Sequence, residues 1–324
     1  MYDNAITKKK YNFLTLGAKI LNTANTVIMV KPRHFSYNEQ TAVDNAFQNK
    51  IWLNSSDIRI LAMKEFRCMK ALLEEYNICV IEIDSPMKYT PDAVFPNNWF
   101  STHYINGKRT LFIYPMLSKN RQEEVQLVNL ISSLPCEKNY KVIDLRTMLK
   151  GENRVLEGTG AMVFDHYNRY IFMSRSNRTD DLLANYVASR LNYSLINFSS
   201  NDKKQKSIYH TNVMMSIGEH IAFICLDVIG IDKEKNMVYE TLLKCKKIVI
   251  VISYNQMMNM LGNVIELKNI YDESFLILSS SANNSLNQYQ KNIIDKYCKR
   301  LVISIPTIEK VGGGSVRCML AEVF

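Results

Sequence analysis

The chain of 324 residues is short of the features that would assign it quickly. It has 11 glycines, 7 prolines and 2 tryptophans. No apolar run approaches the roughly 18 residues a membrane helix needs, and stretches such as Ile221–Leu226 are soon interrupted by charge, so no membrane span is predicted. The first residues, with Lys8-Lys9-Lys10, lack an apolar core and a small-residue cleavage site, which argues against a secretory signal. The 7 cysteines are odd in number, irregularly spaced and without a C-x-x-C pair, which argues against both a disulfide framework and a zinc site and fits a reducing cytoplasm. None of the 5 histidines (34, 103, 166, 210, 220) belongs to an H-E-x-x-H, so no metal and no cofactor are predicted. The net charge of +9 is spread out, with short runs at Lys8–Lys10, Lys203–Lys206 and Lys244–Lys247, and no basic-aromatic interleaving. Solvated helix faces explain that charge better than nucleic acid does.

Against that background the segments present alternate in type. Residues 1–25 read as a tail or a short helix, and 26–324 as one domain. Strands are predicted at Thr26–Val30, Ile78–Ile83, Leu111–Tyr114, Ile248–Ser253, Phe275–Ser279 and Leu301–Ile305. Hairpins are predicted around Tyr167-Asn168 and Gly218-Glu219. Helices are predicted over Ser56–Tyr76 (capped within Ser55-Ser56-Asp57), Asn120–Leu134, Thr179–Leu191, Lys233–Lys244 and Ser285–Lys299. Two strands, a helix and a strand return about every sixty residues, the pattern of several similar modules in one α/β domain. A doubly wound open sheet competes with it, although the first strand-to-helix connection carries no G-x-G-x-x-G.

Four polar clusters stand near strand-like runs. Gly312-Gly313-Gly314 precedes a lone thiol, Cys318, and then an apolar stretch that reads as a final strand. A cysteine set at a strand edge by a glycine turn is placed like a nucleophile, although a structural thiol beside a turn has the same appearance. Pro91–Trp99 crowds Asp92, Asn97 and Asn98 together, which an Asn-rich turn also does. Glu157 stands immediately before Gly158-Thr159-Gly160, as a surface-turn Glu also can. In Tyr209–Met215, His210 and Asn212 point to one face if the segment is extended. Thiol, imidazole, carboxylate and amides together suit thiolate attack on a planar carbon bonded to nitrogen, with the imidazole moving the protons.

The segments Asp92–Trp99, Leu156–Gly160, Tyr209–Met215 and Gly312–Ala321 resemble the guanidino-group-modifying enzyme superfamily. Its members include arginine deiminase, dimethylargininase and the amidinotransferases. Within it, the chain looks most like the citrulline-utilisation hydrolases, an amidinotransferase-like group. The resemblance covers roughly residues 26–324 and implies the pentein fold, a five-bladed pseudosymmetric α/β propeller with its site in the central channel. Carried over by motif, Cys318 is the nucleophile, His210 the general acid/base, and Glu157 the carboxylate that orients the imidazole or holds substrate nitrogens. Asp92, Asn97, Asn98 and Asn212 face the substrate. Arg178, with Arg121 as an alternative, grips its α-carboxylate.

The departures from the pattern concern the substrate head. Arginine deiminases have aspartates where this chain has Asn98 and Asn212, and dimethylargininase has a glutamate where it has Asn97. Removing two negative charges deprives a buried guanidinium of its compensation. An amide can also donate, which suits a ureido carbonyl. These features point to hydrolysis of citrulline to ornithine, ammonia and carbon dioxide. An arginine deiminase or dimethylargininase-type hydrolase, an amidinotransferase and a non-catalytic small-molecule binder are the alternatives. The partner implied is a small amino acid in the cytoplasm, and the oligomeric state is open, a homodimer included.

Overall fold

A computed structural model describes residues 23–134, 140–148 and 154–324, the side chains of 127 and 128 excepted. Cys136 and most of the expected tail lie outside the described residues. Ala24 and Asn25 are already tied into the body, where Ala24 O accepts from Lys268 N and Asn25 O from Cys79 N, both at 3.0 Å.

Among the described residues, short β-branched and aromatic runs form fifteen strands in five sheets of three. β1 (Thr26–Val30) pairs in parallel with β2 (Cys79–Ile83). β3 (Phe100–Ile105), β4 (Lys108–Ile113) and β5 (Tyr140–Asp144) form the second sheet. β6 (Met162–Asp165), β7 (Tyr170–Arg175) and β8 (Ser194–Ser199) form the third. β9 (Met215–Ile217), β10 (Ile221–Ile224) and β11 (Ile248–Val251) form the fourth. β12 (Ile265–Lys268), β13 (Ser274–Ser279) and β14 (Lys299–Ile303) form the fifth. In these four sheets an antiparallel hairpin is followed by a helical crossover to a parallel strand. β15 (Ala321–Glu322) returns to pair antiparallel with β1, so the last strand of the chain completes the first sheet. This is the five-bladed α/β propeller that the resemblance implied.

The modules keep a common register. Phe112, Phe172 and Phe223 lie opposite Ser101, Val163 and Ser216, at matching positions of three central strands. All three rings are buried, and apolar side chains from sheets and covering helices form the cores between them. Such burial is worth about 1.5–3 kcal/mol per large apolar side chain.

The predicted elements shift where local capping decides. The first helix runs Ser55–Glu75 and is capped by Asn54, whose side chain accepts from Asp57 N. The helix predicted over Asn120–Leu134 is two, Lys119–Gln122 and Leu127–Ser133. The one predicted over Ser285–Lys299 is broken, because Asn287 and Gln290 form a capping box that starts a new helix, Gln288–Ile294. His210–Asn212 is not a strand: Thr211–Val213 is a 3-10 turn with His210 at its N-cap, and β9 begins at Met215.

Candidate active site

Every sheet contributes the segment just ahead of its inner strand. Asp92–Asn98 precedes β3, Glu157–Gly160 precedes β6, His210–Asn212 precedes β9, Asn263 precedes β12 and Cys318 precedes β15. The fivefold repeat therefore gathers residues from five distant stretches of chain around one axis.

The glycine run ends the helix Pro306–Gly312, with Gly313 at φ +66° as its left-handed cap. A short turn follows, in which Cys318 N donates to Ser315 O. Cys318 is 4% exposed, and its sulfur receives Asn263 Nδ2 at 3.3 Å and Asn212 Nδ2 at 3.6 Å. Asn263 also donates to Asn212 O at 3.0 Å and accepts from Ser315 N at 3.2 Å, tying the Cys318 and His210 segments together. Tyr209 OH, beside the His210 ring, donates to Gly313 O at 3.0 Å.

His210 Nε2 lies 2.7 Å from Glu157 Oε2, with both side chains buried. Burial alone would push the Glu157 carboxyl up. Arg178, the His210 hydrogen bond and Arg121 outweigh it and hold the group well below the usual carboxylate range. An ionised carboxylate only accepts, so the proton sits on Nε2 and leaves Nδ1 as the free nitrogen. Burial pushes the imidazole below its usual value, against the pull of Glu157. Leu117 N donates to the other carboxylate oxygen at 3.0 Å. A Cβ on Gly160 would lie 2.9 Å from His210 Nδ1 and 2.1 Å from Asn98 Nδ2, so only glycine permits both groups to converge there.

Asn98 is oriented by Arg121, whose NH1 donates to Asn98 Oδ1 at 2.8 Å. Arg121 also makes a two-pronged contact with Glu124, 2.9 Å on each side, and reaches Phe95 O at 3.0 Å. Burial works against its charge, but Glu124, Asp92 and Glu157 restore it and leave its pKa above the ordinary value. Asp92 Oδ2 accepts from Asn38 at 2.7 Å and Thr41 at 3.0 Å, and burial pushes its carboxyl up. Arg178 donates to Glu157 at 3.2 Å, pairs through Nε (3.0 Å) and NH2 with Asp44, and stacks on Tyr209 at 4.8 Å.

Five buried polar atoms here have no partner among the described residues: Asp92 Oδ1, both amide atoms of Asn97, Asn98 Nδ2 and Asn212 Oδ1. Leaving such groups unpaired costs roughly 1–3 kcal/mol each, which a polar ligand relieves. All nine residues singled out from sequence are buried. Arg178 and Arg121, assigned there to a substrate carboxylate, are engaged by Asp44 and Glu124 in this structure. Asn263, Asp44, Asn38 and Thr41 were missed. Asn263 had a signal, since Asn-Val-Ile precedes its strand much as Asn98-Trp-Phe and Asn212-Val-Met precede theirs. Asp44 had none, because residues 31–54 carry no periodic pattern. That segment crosses the site, where Gln48 Nε2 donates to Gly312 O at 3.1 Å and Asn49 N to Lys310 O at 2.8 Å.

A family model described as N,N dimethylarginine dimethylhydrolase, eukaryotic, matches residues 31–324. No curated protein matches. Among solved structures, ArgZ, a cyanobacterial arginine dihydrolase of the ornithine-ammonia cycle, superposes with TM-score 0.70 at 17% identity, covering 92% of this chain and 40% of its own. The chain thus spans well under half of that protein. Its N-terminal domain, solved as a Cys-to-Ser variant bound to substrate, is covered over 97% of its length at TM-score 0.70, 17% identity and 92% of this chain. A dimethylarginine dimethylaminohydrolase solved as an adduct with S-methyl-L-thiocitrulline gives 0.61 at 11% identity, covering 93% of this chain and all of that one. At these identities the likenesses establish the fold.

Proposed function

Because the chain belongs to the eukaryotic N,N-dimethylarginine dimethylhydrolase family, we propose that it is a cysteine hydrolase of C–N bonds in a small ureido or guanidino amino acid. Its preferred substrate on this reading is citrulline. The observation that carries this is the pairing of one unpartnered donor, Asn98 Nδ2, with one unpartnered acceptor, Asn212 Oδ1, beside Cys318 and the His210–Glu157 pair. Arg121 holds Asn98 by its oxygen, so this residue offers the site only N–H groups. A ureido oxygen needs such donors, whereas a guanidinium has no acceptor for them.

The chemistry follows in two halves. Cys318 Sγ adds to the ureido carbon, with its proton taken by His210, and that proton passes to the departing nitrogen. The terminal nitrogen leaves as ammonia, and an S-linked N-alkylcarbamoyl intermediate results. Water, deprotonated by His210, then attacks the same carbon and releases the thiol. The N-carboxy-ornithine so formed loses carbon dioxide, so citrulline and one water give ornithine, ammonia and carbon dioxide. Glu157 supports the imidazolium formed in each half, and Asp92 holds the amino-acid end. Residues 26–324 serve as one catalytic domain in the cytoplasm. Among the described residues no helix is long and apolar enough to cross a membrane, and no three His, Cys, Asp or Glu are grouped to hold a metal.

A second reading, arginine as substrate, draws on the likeness to an arginine dihydrolase. Incubating purified protein and Cys318→Ala with citrulline, arginine and N,N-dimethylarginine, and following ornithine, citrulline and ammonia, decides between them. Turnover of citrulline that disappears with the thiol supports the first reading. Turnover of arginine without turnover of citrulline selects the second. If no substrate of the panel is consumed, the hydrolase reading fails.

A further inference from the structure

The inner strands run away from the catalytic end, and their second residues form one layer: Ser101, Val163, Ser216, Glu266 and Glu322. Four of the five are polar, in strands whose first residues are all apolar. A cavity of about 40 Å³ lies along this layer, lined by Val163, Ser216, Glu266 and Glu322 together with Asn212 and Arg317. A water needs about 10–15 Å³ by the same measure, so the space takes a few water-sized molecules and no amino acid.

Asn212 lines this cavity and also reaches Cys318. Its Nδ2 is 3.6 Å from Cys318 Sγ, and its Oδ1 has no partner among the described residues. Ser216, 8% exposed, likewise has an unpartnered hydroxyl. Glu266 accepts from Glu219 N at 3.0 Å, and Glu322 from Arg317 NH2 at 3.1 Å. Glu322 is paired with Arg317 while Glu266 meets a backbone donor, so the lining leaves acceptor oxygens open to a small N–H donor. Burial pushes both carboxyls up, which eases proton exchange with a basic guest. The side chains of Arg317 and Glu322 keep 11% and 16% of their surface exposed, so the cavity meets solvent at these two lining residues.

We propose that this cavity draws ammonia from the reaction centre and discharges it as ammonium through the far mouth of the ring. The proposal rests on the hydrolase reading above. Ammonia freed at the carbon passes Asn212 and takes a proton from a buried carboxyl. The ammonium ion donates to the carboxylates and to Ser216 Oγ. The carboxylate regains its proton from water as the ion leaves. Ornithine is too large for this route and departs on the side of residues 31–54. Separate exits let the volatile product clear the thioester before it can attack it again.

Two measurements test the route. Thermal unfolding in ammonium chloride, compared with sodium chloride at equal ionic strength, is expected to show a Tm higher by roughly 1–2 °C. Glu266→Gln, which keeps the side-chain size, is expected to erase that difference. With citrulline, Ser216→Leu fills the cavity and is expected to lower kcat about ten-fold while KM stays within about two-fold. Ser216→Val replaces it if the larger side chain prevents folding. Equal Tm values in the two salts overturn the proposal, as does wild-type turnover in the filled variant. Loss of the hydrolase reading is told apart from both, because the Tm comparison needs no turnover.

Discussion

Arg121 donates through NH1 to Asn98 Oδ1 at 2.8 Å, so a buried cation decides which end of that amide is left free. Asn98 Nδ2 is left buried and unpartnered among the described residues, a donor awaiting an acceptor.

Asn98→Asp keeps the acceptor that Arg121 needs and converts the inward N–H₂ to oxygen. The ratio of kcat/KM for citrulline over arginine is expected to fall on the order of 100-fold, since a site built around one hydrogen-bond sense rejects the other. Competition between the two substrates in one vessel measures this. An unchanged ratio removes Asn98 from the specificity argument.

Gly160→Ala puts a methyl group 2.1 Å from Asn98 Nδ2 and 2.9 Å from His210 Nδ1. Both groups must move, so kcat/KM is expected to drop about 100-fold or more. The far-ultraviolet circular dichroism is expected to stay as in wild type. Retained activity would show that the two side chains need not converge at this point.

Asn263→Ala removes contacts to Cys318 Sγ, Asn212 O and Ser315 N at once. The loss is expected to cost roughly 1–3 kcal/mol of stability. It is also expected to change the rate at which a small alkylating reagent labels Cys318, read by mass spectrometry of that peptide. Labelling and unfolding both equal to wild type would reduce Asn263 to a bystander.

Glu157→Gln leaves the Arg178 charge short of one partner and gives His210 a neutral amide in place of a carboxylate. Removing one member of a buried pair is expected to cost about 3–5 kcal/mol, seen as a lower denaturation midpoint. Activity should fall with it, and a variant as stable as wild type would contradict the ion-pair geometry.

The titration signs are set by the buried imidazoles. Burial lowers the His210 and His103 pKa values, and lowers that of His166 to about 4. Each group therefore binds fewer protons folded than unfolded between about pH 6.5, the unfolded value, and its lowered folded value. Their stabilisation is complete above about pH 6.5 and is lost as pH falls through each lowered value, about 4 for His166, with Glu157 adding a further loss at lower pH. Tm measured from pH 8 to 4 is expected to decline mainly below 6.5, and His166→Phe to flatten part of the decline. A Tm that rises on acidification would contradict these directions.

Much of the site was legible because its chemistry is concentrated in short motifs. Cys318 after three glycines, Glu157 before Gly-x-Gly and His210 two residues from Asn212 are each local patterns. Strands β3, β5, β8 and β12 escaped notice because they are short and mix polar with apolar residues, as in Tyr140–Asp144, where pairing rather than propensity selects the strand. Asp44 escaped because its segment is held by side-chain hydrogen bonds to Gly312 and Arg178, which leave no periodicity in the chain.

Composition and motif spacing were enough to name candidate reacting groups and the repeating module, and the resemblance carried by the motifs named the superfamily, since each depends on residue type and order along the chain. Which atom of Asn98 is held by Arg121, which carboxylate neutralises which arginine, and that Asn212 and Asn263 meet Cys318 were decided only in three dimensions. Those outcomes depend on hydrogen-bond geometry and burial among residues up to 134 positions apart, as Asp44 and Arg178 are.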